Sequence, residues 1–404
     1  MIGENIPAFR EVNSHIHTPY SFSAFDRLET AFEMAKNENV AVLGINDFFV
    51  TDGYQEFYDG CLRNNIFPLF NIEFIGLLRK EQKNNIRIND PNNPGRIYLS
   101  GKGLDYPFSL TGRRMRKLKK VIAHNQNHAR EIISRVDGLI KDVNPALSLS
   151  FAWVKYGFAR ELVRERHIAR AVRVLAQENY KTEEEQLAFI EALYEGKKSK
   201  FTIGDTSALE NEIRSNLLKA GGPAYIEEYA ASFLELRKLI KIIHGAGGIP
   251  CYPVLLDDAS GNYTEFEADP ETLHRALSSL GIGCIELIPR RNDLTKLKSF
   301  TEFFEKKGYV ITFGTEHNTP ELIPITVTAR GSVPLDESLK RIAWEGVCII
   351  AAHQYLRAHD RQGFVLADGT LSHDQKNDLK ALGNLVIEYF LKMNNDGSGN
   401  QRID

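Results

Sequence analysis

Cysteine is scarce in this chain: four residues in 404, Cys61, Cys251, Cys284 and Cys348. They lie far apart, form no CxxC pair and each sits beside apolar residues, which predicts buried free thiols in a reducing cytoplasm. No uninterrupted apolar run reaches the roughly 18 residues of a membrane span. The opening MIGENIPAFREVN lacks the basic-then-apolar order of a signal segment. Charge of one sign is also missing. Fifty Lys and Arg against 53 Asp and Glu leave a formal net charge of -3. That balance gives no basic footprint for a nucleic-acid polymer and no polybasic membrane patch. Even the basic run Arg113–Lys120 reads as a solvated helix face. No internal repeat is apparent.

What is present is a chain that is 43% hydrophobic and long enough for two domains, or for one barrel with a large insertion. Strand and helix signals alternate over the first hundred residues. Glu11–His17, Val40–Asn46 and Phe67–Ile75 read as strands, with helices at Leu28–Asn39 and Gly53–Asn65. That alternation predicts a parallel sheet of βα units. Residues 79–95 are polar and turn-rich, and Ile97–Leu99 reads as a short strand. From about Arg113 apolar residues recur at three and four, so helices are expected up to about 245, near 160–178, 183–195, 207–219 and 224–244, with no strand among them. Alternation then resumes. Gly248–Val254, Cys284–Ile288 and Tyr309–Gly314 read as strands, with helices at 270–280, 293–307, 335–359 and 374–393. The tail from 394 is expected to fray.

A βα barrel places its active site at the C-terminal ends of its strands. The polar residues read at those ends are His15 and His17, Asp47, Glu73, Tyr252, Glu286, and Glu316 with His317. Two histidines two apart on a strand face the same side, and neutral imidazole is a common metal ligand. The set therefore reads as a metal site with acid and base groups around it. By contrast, His124 and His128, spaced i, i+4, have no third ligand nearby and read as part of a solvated helix face.

The run His15-Ile16-His17-Thr18-Pro19-Tyr20-Ser21 resembles the opening motif of the PHP superfamily, the polymerase and histidinol phosphatase type of metal-dependent phosphoesterase. Further motifs follow in order. Asn46-Asp47-Phe48 is similar to a Thr-Asp-His turn, and Asn71-Ile72-Glu73 to Gly-Ile-Glu. Tyr98 and Tyr252 stand where histidines are usual, and Gly314-Thr315-Glu316-His317-Asn318 resembles a closing Gly-Ser-Asp-x-His. Arg166-His167-Ile168-Ala169-Arg170 and Gly221-Gly222-Pro223 resemble runs of the nucleotidase branch, whose inserted helices help bind substrate.

The resemblance implies a distorted (β/α)7 barrel formed by 1–112 and 246–404, with a helical insertion domain at 113–245. It also implies up to three metals, of which one keeps its ligands here: His15, His17, Glu73 and Glu316. The positions of the other two carry Phe22, Phe48, Tyr98, Tyr252 and Asn318, and phenylalanine has no lone pair to offer. One divalent cation is therefore expected, with zinc, manganese and iron all compatible with two histidines and two carboxylates. The function implied is a metal-dependent hydrolase, phosphoesterase-like, acting on a small molecule. Asp47 or His317 would handle protons, and Tyr98, Tyr252, His167, Arg170, Arg290 and Arg291 would contact an anionic substrate. The alternatives are a hydrolase of a non-phosphate substrate and a degenerate module that binds a ligand or partner without turnover. Oligomeric state is not legible.

Overall fold

The computed structural model describes residues 9–258, 260–366 and 368–395. Residues 1–8, part of the segment read for a signal pattern, and most of the tail, 396–404, lie outside the described residues. One sheet carries eight strands: β1 (Glu11–Ile16), β2 (Val40–Phe48), β3 (Phe67–Leu77), β4 (Arg96–Lys102), β5 (Leu234–Glu235), β6 (Ile249–Val254), β7 (Cys284–Leu287) and β8 (Val310–Phe313). The main path runs β1-β2-β3-β4-β6-β7-β8, and β5 pairs on the side with β3. Most strands are buried along nearly their whole length, as expected where helices cover the outer face and side chains fill the inner one.

The sheet curls until its ends almost meet. His17 N donates to Glu316 O at 2.7 Å, and Glu316 N donates to His15 O at 2.9 Å. Ile16 and Glu316 form a parallel bridge. Gly314 permits this approach, because a Cβ there would lie 2.4 Å from that of His15. Gly314→Ala is expected to cost about 1–3 kcal/mol by overpacking and to weaken metal binding by pushing on His15. A urea melt and a metal titration of the variant check both.

The helices are α1 (Leu28–Asn37), α2 (Tyr54–Arg63), α3 (Arg79–Lys83), α4 (Gly112–Val143), α5 (Phe151–Phe158), α6 (Glu165–Asn179), α7 (Glu183–Leu193), α8 (Thr206–Ile213), α9 (Leu236–Gly245), α10 (Pro270–Ser279), α11 (Leu294–Lys306), α12 (Glu337–Ala358) and α13 (Lys376–Asn395). In α1 the buried residues Leu28, Ala31, Phe32 and Ala35 mark one helical face turned to the sheet. The long helix α4 serves two cores. Its early residues Leu118 and Val121 join the barrel cluster, while Ala129, Ile132, Ile133, Val136 and Ile140 join a separate cluster with α5 to α8.

Three expectations are corrected. The sheet is mixed: β4 runs antiparallel to both β3 and β6. Alternating apolar residues fix which side chains point inward, but not strand direction, and the polar 79–95 segment returns the chain in a hairpin sense. A two-residue strand, β5, lies in the stretch read as strand-free. The helix expected at 224–244 begins only at Leu236, and its Leu236, Leu239, Ile240, Ile242 and Ile243 pack into the barrel core. Among the described residues no helix is long and apolar enough to cross a membrane. All four cysteines are free and buried.

Candidate metal centre

The end of β1 presents His15 and His17 to the barrel interior, and β3 presents Glu73, which lies opposite Ser100 of β4. One ligand atom from each of these three buried residues lies within 4.8 Å of the others. His15 Nε2 is 3.2 Å from His17 Nε2, and Glu73 Oε2 is 3.1 Å from His17 Nε2.

The other ring nitrogens decide what these atoms can do. His15 Nδ1 lies 3.0 Å from Glu286 Oε2, an acceptor, so Nδ1 carries the proton and Nε2 a lone pair. Ser21 Oγ donates to Asp47 Oδ1 at 2.6 Å and lies 3.3 Å from His17 Nδ1. The hydroxyl proton is thus spent on Asp47, and His17 Nδ1 is the donor to Ser21. His17 Nε2 then turns its lone pair toward Glu73 Oε2, an oxygen that is buried and makes no hydrogen bond, while the lone pair of His15 Nε2, 3.9 Å from the same oxygen, accepts from the Asn46 amide at 3.0 Å. Once Glu73 is ionised, three electron-pair donors converge here, which is the donor set of a divalent cation. Two imidazoles and a carboxylate suit zinc, manganese or iron.

Electrostatics agree. Burial lowers the His17 pKa to about 4, against the nearby charges of Asp47 and Glu316, so the ring is neutral. Burial raises the Glu73 carboxyl well above its ordinary range, although the His15 charge opposes this. A cation binding here must displace that proton. Metal affinity is therefore expected to rise with pH through the neutral range, with a proton released per metal bound. Titrations at pH 6, 7 and 8 test this; an affinity flat with pH would contradict it.

The remaining predicted residues fall into two groups. Some lie at the centre. Glu316 is at the barrel seam beside both histidines, but its carboxylate is ion-paired with Arg291 and stands outside the three-residue cluster. Burial pushes its pKa up, yet Arg291, His15 and His17 outweigh that and hold it below the ordinary value. Tyr98 lies at the rim, its ring 6.2 Å from that of Phe48. Burial, then the charges of Asp90 and Glu73, raise its pKa. Asp47 is a support: it accepts from Thr18 N at 2.8 Å, from Thr18 Oγ1 and from Ser21 Oγ, and lies 4.0 Å from His17 Nδ1, on the side of the ring away from Glu73. Arg290 is further out, 3.6 Å from Glu321.

The polar atoms of the others are engaged elsewhere in this structure. Both His317 ring nitrogens are engaged, Nδ1 with Thr315 Oγ1 at 2.7 Å and Nε2 with Ile323 O at 2.9 Å, which leaves no free base. Tyr252 is wholly buried and donates to Glu267 at 2.7 Å, so it cannot reach a substrate oxygen. His167 Nδ1 accepts from Arg164 N at 3.0 Å and closes the first turn of α6. Arg170 lies 3.3 Å from Asp26 and 3.6 Å from Glu210.

Sequence reasoning missed Lys102, Ser100, Asn46 and Arg164, and it gave Glu286 no role. Ser100 Oγ donates to Glu286 Oε1 at 2.7 Å, and Lys102 Nζ lies 2.5 Å from Glu286 Oε2. Asn46 Nδ2 lies 3.0 Å from His15 Nε2 and 3.2 Å from Ser100 Oγ. The guanidinium of Arg164 sits 4.2 Å from the centroid of Phe48, whose ring stacks on His17 at 4.6 Å. A lysine two residues after a serine in an apolar strand was the available signal for the first pair, since both must face the same side.

A curled sheet with seven strands on its main path, histidines at the seam and helices outside is a distorted α/β barrel. No family model matches the chain. It is similar in structure to a protein from Bifidobacterium adolescentis assigned as a metal-dependent phosphoesterase, with a TM-score of 0.53 and 15% identity over 83% of this chain and 96% of that one. It is also similar to an amidohydrolase from Chromobacterium violaceum, solved with bound sulfate and no metal, with a TM-score of 0.50 and 16% identity over 79% and 93% of the two chains. In sequence, 59 residues are 41% identical to DNA polymerase III subunit alpha of Staphylococcus aureus, a match covering 14% of this chain and 6% of that relative. At these levels the likeness is one of fold.

Proposed function

We propose that this chain is a metal-dependent hydrolase that uses one divalent cation, held by His15, His17 and Glu73, to cleave a small anionic ester of the phosphoester class. The observation that carries the reading is that ligand atoms of His15, His17 and Glu73 lie within 4.8 Å of one another, all buried, with a Glu73 oxygen that has no hydrogen-bond partner. A cation there supplies Lewis acidity to an oxygen of the substrate.

The chain's own residues supply the rest. Ser21 and Asp47 orient His17, and Glu286 orients His15. Glu316 takes Arg291 as its counter-ion in this structure. Glu316 would be the fourth residue able to hold such a cation, which would free Arg291 to pair with an anionic group of the substrate. Two further guanidiniums support an anionic substrate. Among the described residues Arg164 and Arg166 make no ion pair; Arg166 bonds only the Asn211 amide oxygen, at 2.7 Å. Burial lowers the pKa of both, that of Arg166 to about 10. A partly buried cation without a direct ion pair is costly to hold, and a bound oxyanion would provide that partner.

The test is turnover by metal-loaded protein on p-nitrophenyl phosphate and nucleoside monophosphates, beside carboxylic ester and amide panels. Phosphate release that depends on added metal supports the reading. Turnover confined to the esters or amides would move it to a non-phosphate hydrolase. Metal binding without any turnover would favour a ligand-binding module.

A further inference from the structure

Behind His15 lies a buried charged chain of which the proposed chemistry uses only the Glu286 end. Lys102 closes β4 and is wholly buried, as is Glu286 on β7. These strands are not neighbours, since β6 lies between them. Their side chains therefore meet inside the barrel. Lys102 Nζ is 2.5 Å from Glu286 Oε2 and 3.2 Å from Asn46 Oδ1. Ser100 takes the other carboxylate oxygen at 2.7 Å, and His15 Nδ1 shares Oε2 at 3.0 Å.

A buried ammonium–carboxylate pair is weak evidence for stability, because a well-packed apolar pair would serve the core as well. Its geometry gives it a different use. Glu286 touches no open part of the site; its contact toward the metal point is the proton-bearing nitrogen of His15. Lys102 and Ser100 occupy the remaining directions of the carboxylate, so it cannot pivot away from the ring.

We propose that Lys102, acting through Glu286, is a positioning residue that fixes the orientation of the His15 ring and thereby the affinity of the metal site. The proposal rests on the metal-site reading above. Partners behind a metal-bound histidine typically change metal affinity about 10- to 100-fold.

The test separates positioning from a purely structural pair. The full-length wild type, E286Q, K102M and the double variant E286Q/K102M are titrated with zinc against a chromophoric chelator, and the metal-free proteins are melted. The double variant leaves no lone buried charge, so it keeps the test valid where a single variant does not fold. The expected result is zinc affinity about 10- to 100-fold weaker in E286Q and in the double variant, although the double variant melts near wild type without metal. Wild-type zinc affinity in a folded E286Q or in the double variant would overturn the proposal and leave the metal-site reading standing. A wild type that binds no zinc would overturn both.

Discussion

Glu73→Gln is expected to abolish metal binding and, with it, the proposed hydrolysis. The substitution keeps the size of the side chain but replaces a carboxylate oxygen with an amide that cannot match its charge. Glu73 supplies the only carboxylate of the three-residue cluster, and its Oε2 makes no hydrogen bond. Metal affinity is expected to fall by more than the roughly 100-fold that loss of an outer partner costs. The metal-free variant is expected to fold as well as wild type, since burial already holds Glu73 protonated at neutral pH, and a neutral amide replaces a neutral acid. Chelator competition and a thermal melt measure the two effects. A variant with wild-type affinity would remove Glu73 from the site.

Lys102→Met should be strongly destabilising. It leaves Glu286 buried with one fewer counter-charge, and breaking such a pair typically costs about 3–5 kcal/mol. Burial alone would push the Glu286 pKa up, but the charges of His15 and Lys102 overcome it and hold the group well below its ordinary range. Removing Lys102 removes one of those two supports. Linkage gives the sign of the pH effect. A carboxylate whose folded pKa is depressed contributes stability above its unfolded pKa, and that contribution is lost as pH falls through the folded value. The loss in K102M is therefore expected in full at neutral pH and should shrink in acid. Urea unfolding at pH 7 and pH 4 tests this, and a cost under about 1 kcal/mol at pH 7, the size of an exposed pair, would contradict it.

Much of this was legible in the sequence, and the reasons differ by residue. His15 and His17 were readable because a strand's period of two puts both on one face, whatever the rest of the fold does. Glu73 was readable because a carboxylate in an otherwise apolar strand is conspicuous. The direction of β4 was not, since an apolar pattern is the same read from either end. Lys102 escaped because the strand was read only as far as Leu99, whereas it runs to Lys102, and the strand beyond β6 supplies the carboxylate that makes the lysine internal. His317 and Tyr252 occupied motif positions, but a motif does not record hydrogen-bond partners. Thr315, Ile323 and Glu267 consume their polar atoms in this fold. Glu316 and Arg291 were both named from the sequence, but not their pairing, which claims the Glu316 carboxylate in this structure.

The most direct measurement is metal content per chain of wild-type protein purified without chelator, by plasma mass spectrometry, beside the H15A/H17A double variant. One metal per wild-type chain, lost in the variant, is the predicted result. Two or three per chain would mean that ligands outside His15, His17, Glu73 and Glu316 complete further sites. No metal, even after loading with zinc, manganese or iron, would contradict the account at its centre.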